Sequence, residues 1–316
     1  MYTKILVPLD GSEFSQQVIP YVQLMAERLG CPVELFRVID SVSPALADPV
    51  HGRYLDRVAE GFDNEALDEL KAVKDSLEHK GINVSTVIHE GRAASTITRE
   101  AASDPGALIA MSTHGRSGVS RWFLGSVTSE VLHAASNPMF IVRSTANGES
   151  VEPPTLKNII LPLDGSKLGE QVLPHAKQLS KALRLNAHLV RVTPPDGEYH
   201  SYLPAYALDG ATTVYHGPIE EFSKAVDAEA MEYLHRVGDR LHCEGIHSSE
   251  EQLLHVNPAA AIVDLAHEIP ESIVAMTTHG RSGIGRWVLG SFADKVARHS
   301  GRPVLLVRAV EDQPES

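Results

Sequence analysis

Residues 5–12 read ILVPLDGS, and residues 159–166 read IILPLDGS, identical at six of eight positions with an offset of 154. Residues 112–143 read STHGRSGVSRWFLGSVTSEVLHAASNPMFIVR. Residues 277–308 read TTHGRSGIGRWVLGSFADKVARHSGRPVLLVR, identical at fifteen of thirty-two with an offset of 165. Two collinear matches of this quality mark an internal duplication, so the fold read for one half holds for the other. The growth in offset gives the second copy about eleven extra residues. Matching Val38 to Val192 and Ala94 to Ala260 puts them after the second strand, in the Pro-, Gly- and Tyr-rich stretch Thr193–Glu221.

Working outward, Lys4–Leu9 is a short apolar run closed by Asp10-Gly11-Ser12, the pattern of a strand buried on both faces. Ser12 is an N-cap for a helix carrying Val18, Val22, Met25 and Leu29 and ending at Gly30. Strands follow at Val33–Ile39, Val84–His89, Ala107–Ser112 and Met139–Arg143, with helices near Asp63–Lys80, Ala94–Ser103 and Ser126–Ser136. The second copy predicts strands near Asn158–Leu163, Ala187–Val192, Ser248–His255, Ser272–Thr277 and Val304–Arg308. Strands alternating with helices imply an α/β class with two doubly wound parallel five-stranded sheets and right-handed crossovers. The expected domains are 1–146 and 155–310, joined by the polar, proline-ended linker Asn147–Pro154, with a frayed tail from Glu311.

Composition agrees with this class. At roughly 150 residues per domain, 316 residues make about two domains. The chain is 43% hydrophobic and 22% charged, ample for two cores. No apolar run approaches the ~18 residues of a membrane span, so no membrane insertion is expected. Met1-Tyr2-Thr3-Lys4 runs straight into Ile5-Leu6-Val7, so no signal peptide is expected. Cys31 and Cys243 are the only cysteines, which excludes a disulfide scaffold and fits a reducing cytoplasm. A formal net charge of -13 argues against a nucleic-acid partner but leaves a small anion to the local field.

In open α/β sheets, ligands sit beyond the carboxyl ends of the strands, where the winding reverses. Two loops of unusual composition fall at that edge in each copy. One is Pro8-Leu9-Asp10-Gly11-Ser12 with its twin Pro162-Leu163-Asp164-Gly165-Ser166; the other runs from Ser112 to Ser126, with its twin from Thr277 to Ser291. Gly115 and Gly118 allow positive φ, and Gly125 leads into a helix expected to be capped by Ser126, whose first amides favour a phosphate. Arg116 and Arg121 add positive charge. Asp10 would be repelled by phosphate, so its expected partner is a ribose hydroxyl or an adenine edge. The plainer alternatives are a loop that only turns, and an Asp10-Gly11-Ser12 segment that only caps a helix. His114 and His279 have no carboxylate or nucleophile at catalytic spacing and receive no catalytic role. The sixteen histidines show no metal-ligand spacing, so no metal site is assigned. Cys31 and Cys243 read as inert thiols, and Trp122 and Trp287 as loop packing.

On these motifs both halves resemble the universal stress protein domain, over nearly all of residues 1–310. The family's nucleotide signature is glycine, two residues, glycine, nine residues, then Gly-Ser or Gly-Thr. Gly115, Gly125 and Ser126 match it, as do Gly280, Gly290 and Ser291, while Ser112 and Thr277 replace the first glycine. The resemblance implies the adenine nucleotide alpha hydrolase-like fold, strand order 3-2-1-4-5, with the two halves related by a pseudo-twofold. It implies ATP (or AMP or ADP) as ligand, with Mg²⁺ accompanying ATP. Asp10 and Asp164, flanked by Pro8, Leu9, Pro162 and Leu163, would contact the adenosine. Val38 and Val192 would lie by adenine, and Met111 and Met276 would line the pocket. His114, Gly115 and Arg116, with His279, Gly280 and Arg281, belong to the glycine loops. Gly125-Ser126-Val127-Thr128 and Gly290-Ser291-Phe292 would hold phosphates. Phe292 stands where Val127 does and Ala293 where Thr128 does, so the C-terminal site is expected to be the weaker.

Met139-Phe140-Ile141-Val142 and Val304-Leu305-Leu306-Val307 should be apolar sheet edges, and such edges invite pairing. The family dimerises through this strand, which implies an intrachain pseudo-dimer and leaves a homodimer of the whole chain open. Three functional readings stand at this point. The first is an ATP-binding stress-response protein whose occupancy biases conformation or partner choice. The second is a stress-induced interaction module without nucleotide, favoured by Ser112 and Thr277. The third is a slow ATPase, which would need a water-activating base and Mg²⁺ ligands and finds no Walker-type Gly-Lys-Ser/Thr; the balance is against an enzyme.

Overall fold

The computed structural model describes residues 2–39, 67–113, 124–144, 154–195, 198, 219–279 and 290–310. The chain forms two compact units, Met1–Pro154 and Thr155–Ser316. In the first, β1 (Ile5–Pro8), β2 (Val33–Ile39), β3 (Val84–Glu90), β4 (Leu108–Ser112) and β5 (Met139–Val142) alternate with helices. These are α1 (Glu13–Gln16), α2 (Ile19–Leu29), α3 (67–78), α4 (Ala93–Ala102) and α5 (Ser126–Ala134). The second unit repeats the plan with β6 (Asn158–Pro162), α6 (Lys167–Glu170), α7 (Leu173–Leu183), β7 (Asn186–Thr193), α8 (Ile219–Cys243), β8 (Ser248–Leu254), α9 (Pro258–Glu268), β9 (Ser272–Thr277), α10 (Ser291–His299) and β10 (Val304–Val307). Among the described residues, no helix is long and apolar enough to cross a membrane.

The strand order is β3-β2-β1-β4-β5 in the first unit and β10-β9-β6-β7-β8 in the second, each in parallel pairs. This is the doubly wound 3-2-1-4-5 arrangement. The central strands are buried end to end, because helices cover both faces and every position needs an apolar side chain. β1 pairs with β2 on one side (Val7↔Leu35) and with β4 on the other (Ile5↔Leu108). Winding reverses between β1 and β4, and again between β6 and β9, which opens a crevice at their carboxyl ends.

The single helix expected after Ser12 is two helices. Ser12 caps the short α1, accepting the Ser15 amide, and α2 begins only at Ile19. Pro20 has no N–H to give the carbonyl of Gln16, so the helical ladder must break there. Pro174 breaks α6 from α7 in the same way. The chain leaves α2 through Gly30 at φ 66, but leaves α7 through Arg184 at φ 58, a left-handed residue with a full side chain. The linker 147–153, the residues 199–218 of the insert and the tail 311–316 lie outside the described residues.

Candidate functional site

The turn after β1 is built by its own polar groups. Asp10 Oδ1 accepts the Ser12 amide at 3.0 Å and the Ser12 hydroxyl at 2.6 Å, closing an Asx turn over Gly11. Ser12 Oγ accepts the Ser15 amide, and Ser15 Oγ donates to the Ser12 carbonyl at 2.8 Å. Gly11 stands at φ 81, and a Cβ there would run into Glu69 Oε2 from α3. Behind the turn, the nine-tenths buried Arg37 side chain donates to the Leu9 carbonyl at 3.3 Å and pairs with Glu69 at 3.6 Å. A cation tucked under β2 therefore holds the main chain of the aspartate loop.

The loop after β4 ends at α5. Thr113 donates its amide to Val142, and Gly125 donates its amide back to the Thr113 carbonyl at 2.6 Å. Thr128 Oγ1, buried, donates to the Ser112 carbonyl at 3.0 Å, locking the first turn of α5 to the end of β4. The N-cap of α5 is Gly125, not Ser126, and it makes no side-chain cap bond. Ser126 is instead the first helical residue, because Gly125 is held extended by its bond to Thr113.

Between these two loops lies a cavity of about 280 Å³. Pro8, Leu9, Asp10, Val38, Met111, Ser112, Gly125, Ser126, Val127 and Thr128 all line it. His114, Gly115 and Arg116 lie outside the described residues. Four lining residues were not singled out from the sequence: Ser15, Phe36, Ala93 and Ile97. Each had a signal. Phe36 is two residues before Val38 and so shares its face of β2. Ser15 is the partner three residues past the Ser12 cap. Ala93 and Ile97 open α4, and every strand-to-helix connection of a parallel sheet emerges at the ligand edge. The walls are mostly apolar, with aspartate, serine and threonine groups and the start of α5 supplying the polar contacts, the composition of a small-molecule pocket.

The second unit places Pro162, Leu163, Asp164, Val192, Met276, Thr277, His279, Gly290, Ser291 and Phe292 at the corresponding positions; Gly280 and Arg281 lie outside the described residues. The details differ. Asp164 Oδ1 again accepts from Ser166, but Gly169 replaces Ser15, and a Cβ there would stand 2.5 Å from that oxygen. Thr277 turns its hydroxyl onto the carbonyl of His279 at 2.7 Å. Gly290 packs so tightly that a Cβ would be 2.7 Å from the Thr278 carbonyl. Ala293 offers no hydroxyl where Thr128 locks α5. Beside Val192, the buried Thr193 sits in a partly buried polar cluster with Asp227 and Gln252, which the sequence did not announce. Arg191, like Arg37, is buried, paired with Glu229 at 2.8 Å and stacked over Tyr233 at 5.5 Å. Among the described residues, no group of three acidic, histidine or cysteine side chains is placed to hold a metal.

The family model described as the universal stress protein family matches residues 1–143 and again 155–308. A universal stress protein of Methanocaldococcus jannaschii is 32% identical over 143 residues, 45% of this chain and 83% of that one. A universal stress protein of Mycolicibacterium smegmatis is 26% identical over 309 residues, covering 96% of both chains. The crystal structure of a universal stress protein from Archaeoglobus fulgidus superposes with a TM-score of 0.69 at 22% identity, covering 98% of this chain and 99% of that one. The chain belongs to the universal stress protein family, with one family domain in each half.

Proposed function

We propose that the first unit binds an adenine nucleotide and that occupancy of its cavity biases conformation or partner choice in a stress response. The observation that carries this is the cavity of about 280 Å³ at the β1–β4 switch point, lined by the Asp10 turn and by the first residues of α5. The apolar wall of Phe36, Val38, Ile97 and Met111 suits a base. The amides at the start of α5, with no side-chain cap, suit phosphate, since the helix dipole favours an anion there. Mg²⁺ would arrive with the triphosphate, held chiefly by phosphate oxygens and water, as small hard cations usually are at such sites. The role is binding rather than hydrolysis: a ligand that prefers one conformation shifts the population without chemistry. A reducing, cytoplasmic setting fits Cys31, buried, and Cys243, exposed, both unbridged.

The second reading, a domain without nucleotide, is favoured for the second unit alone. There the Thr277 hydroxyl is spent on its own loop and Asp164 fills the space over Gly169. Denaturing purified protein and weighing any released small molecule tests the first-unit reading directly. In a thermal-shift titration, ATP or AMP at 100 Kd should add ~2.7 kcal/mol of stability. No shift with either nucleotide sinks the proposal.

A further inference from the structure

We propose that Arg92 selects for the phosphate chain of the nucleotide, exchanging Glu130 for phosphate when the first unit is filled. This rests on the nucleotide reading above. Two helices, not one, begin at the cavity: Ala93 at the first turn of α4 and Ser126 at the first turn of α5 both line it, and neither helix has a side-chain cap. Arg92 is the N-cap residue of α4, immediately before Ala93. Its guanidinium reaches across to α5, where one nitrogen sits 3.2 Å and 3.3 Å from the two carboxylate oxygens of Glu130, one turn beyond Ser126. The pair thus bridges the two helices whose first turns line the cavity, Arg92 directly before the lining residue Ala93 and Glu130 one turn past the lining residue Ser126.

The pair is also easy to break. Arg92 is 78% exposed and Glu130 50% exposed, and ion pairs so open to water contribute little. A phosphate chain emerging from the start of α5 would offer more charge and a better fork for the guanidinium than one carboxylate does. Glu130 would then repel the same phosphates, so its release from Arg92 works against the ligand. The second unit carries neither member: the N-cap of α9 is Asn257, whose side chain accepts the Ala260 amide, and Lys295 stands where Glu130 does. Arginine at this N-cap is therefore a feature of the first unit, and it would distinguish nucleotides by their phosphates while leaving the base and ribose contacts alone.

Calorimetric titration of the full chain with adenosine and with ATP tests this. Arg92→Gln should lower the preference for ATP over adenosine about tenfold, the worth of one charged hydrogen-bonding group. Glu130→Gln should raise it about twofold to threefold, within the range of an exposed pair. An unchanged ATP-to-adenosine ratio in Arg92→Gln overturns the proposal while leaving the nucleotide reading intact. A loss of preference in Glu130→Gln equal to that in Arg92→Gln overturns it too, since the pair would then be only a brace. If the native chain binds neither ligand, the nucleotide reading itself falls and this inference with it.

Discussion

Asp10 serves the turn and the cavity together. Its Oδ1 accepts two bonds from Ser12, so part of what looks like ligand chemistry is the chemistry of a helix start. The same residue lines the cavity, and the two duties can be separated. Asp10→Asn keeps an oxygen for the Ser12 amide but removes the charge, whereas Asp10→Ala removes both. Under the nucleotide reading, Asp10→Ala should weaken binding about tenfold and cost about 1 kcal/mol of stability. Asp10→Asn should recover the stability but not all the affinity; titration and urea unfolding, run side by side, read the split. Arg184 makes a purely structural contrast. It holds φ 58 at the end of α7, where the first unit has Gly30. Relieving a left-handed side chain gains more than the added freedom of glycine in the unfolded chain loses. Arg184→Gly should therefore stabilise by about 0.5–1 kcal/mol in denaturant unfolding, with no effect on ligand binding.

At the scale of elements, each strand and its following helix could be placed from apolar runs, glycine stops and caps. The break between α1 and α2 escaped because hydrophobic spacing continues through Val18 and Val22 while the hydrogen-bond ladder does not survive Pro20. The capping of α5 was misassigned by one residue because a serine beside a glycine looks like a cap, although the extended glycine takes that place. The sheet of the second unit also carries a side-chain chain that no motif marks. His188 on β7 lies 3.0 Å from Asn158 Oδ1 on β6 and 3.0 Å from Ser249 Oγ on β8, where the first unit has the ion pair Lys4–Glu34. Burial disfavours the charged ring and holds the His188 pKa below its ordinary value. The unfolded chain takes up this proton near pH ~6.5, the folded chain only at lower pH. The contribution is thus harmless above that pH, and stability falls as pH drops below it. Urea midpoints measured from about pH 8 to 5 should decline on the acid side, and His188→Gln should flatten the decline.

At the scale of the whole molecule, the duplication has kept a fold and let the loops at the carboxyl ends of the strands diverge. The first unit opens a cavity between the Asp10 turn and α5, while in the second the Thr277 hydroxyl bonds to the His279 carbonyl of its own loop. One nucleotide per chain is the expected stoichiometry in a calorimetric titration; two would show that the second unit's loop yields to ligand. The sequence by itself determined the repeat, the parallel doubly wound class and the edge at which a ligand would sit, because these follow from periodicity, chain order and the handedness of crossovers. It also supplied most of the cavity lining, since motif residues at strand ends are neighbours by topology. What only the tertiary structure decided was contact between residues far apart in the chain: Ala93 and Ile97 brought to the same cavity as Ser126, Arg37 set under the Leu9 carbonyl, and Arg92 laid against Glu130. The physical reason is that local pattern fixes which face a residue occupies, whereas the distance between faces depends on how helices pack on the finished sheet.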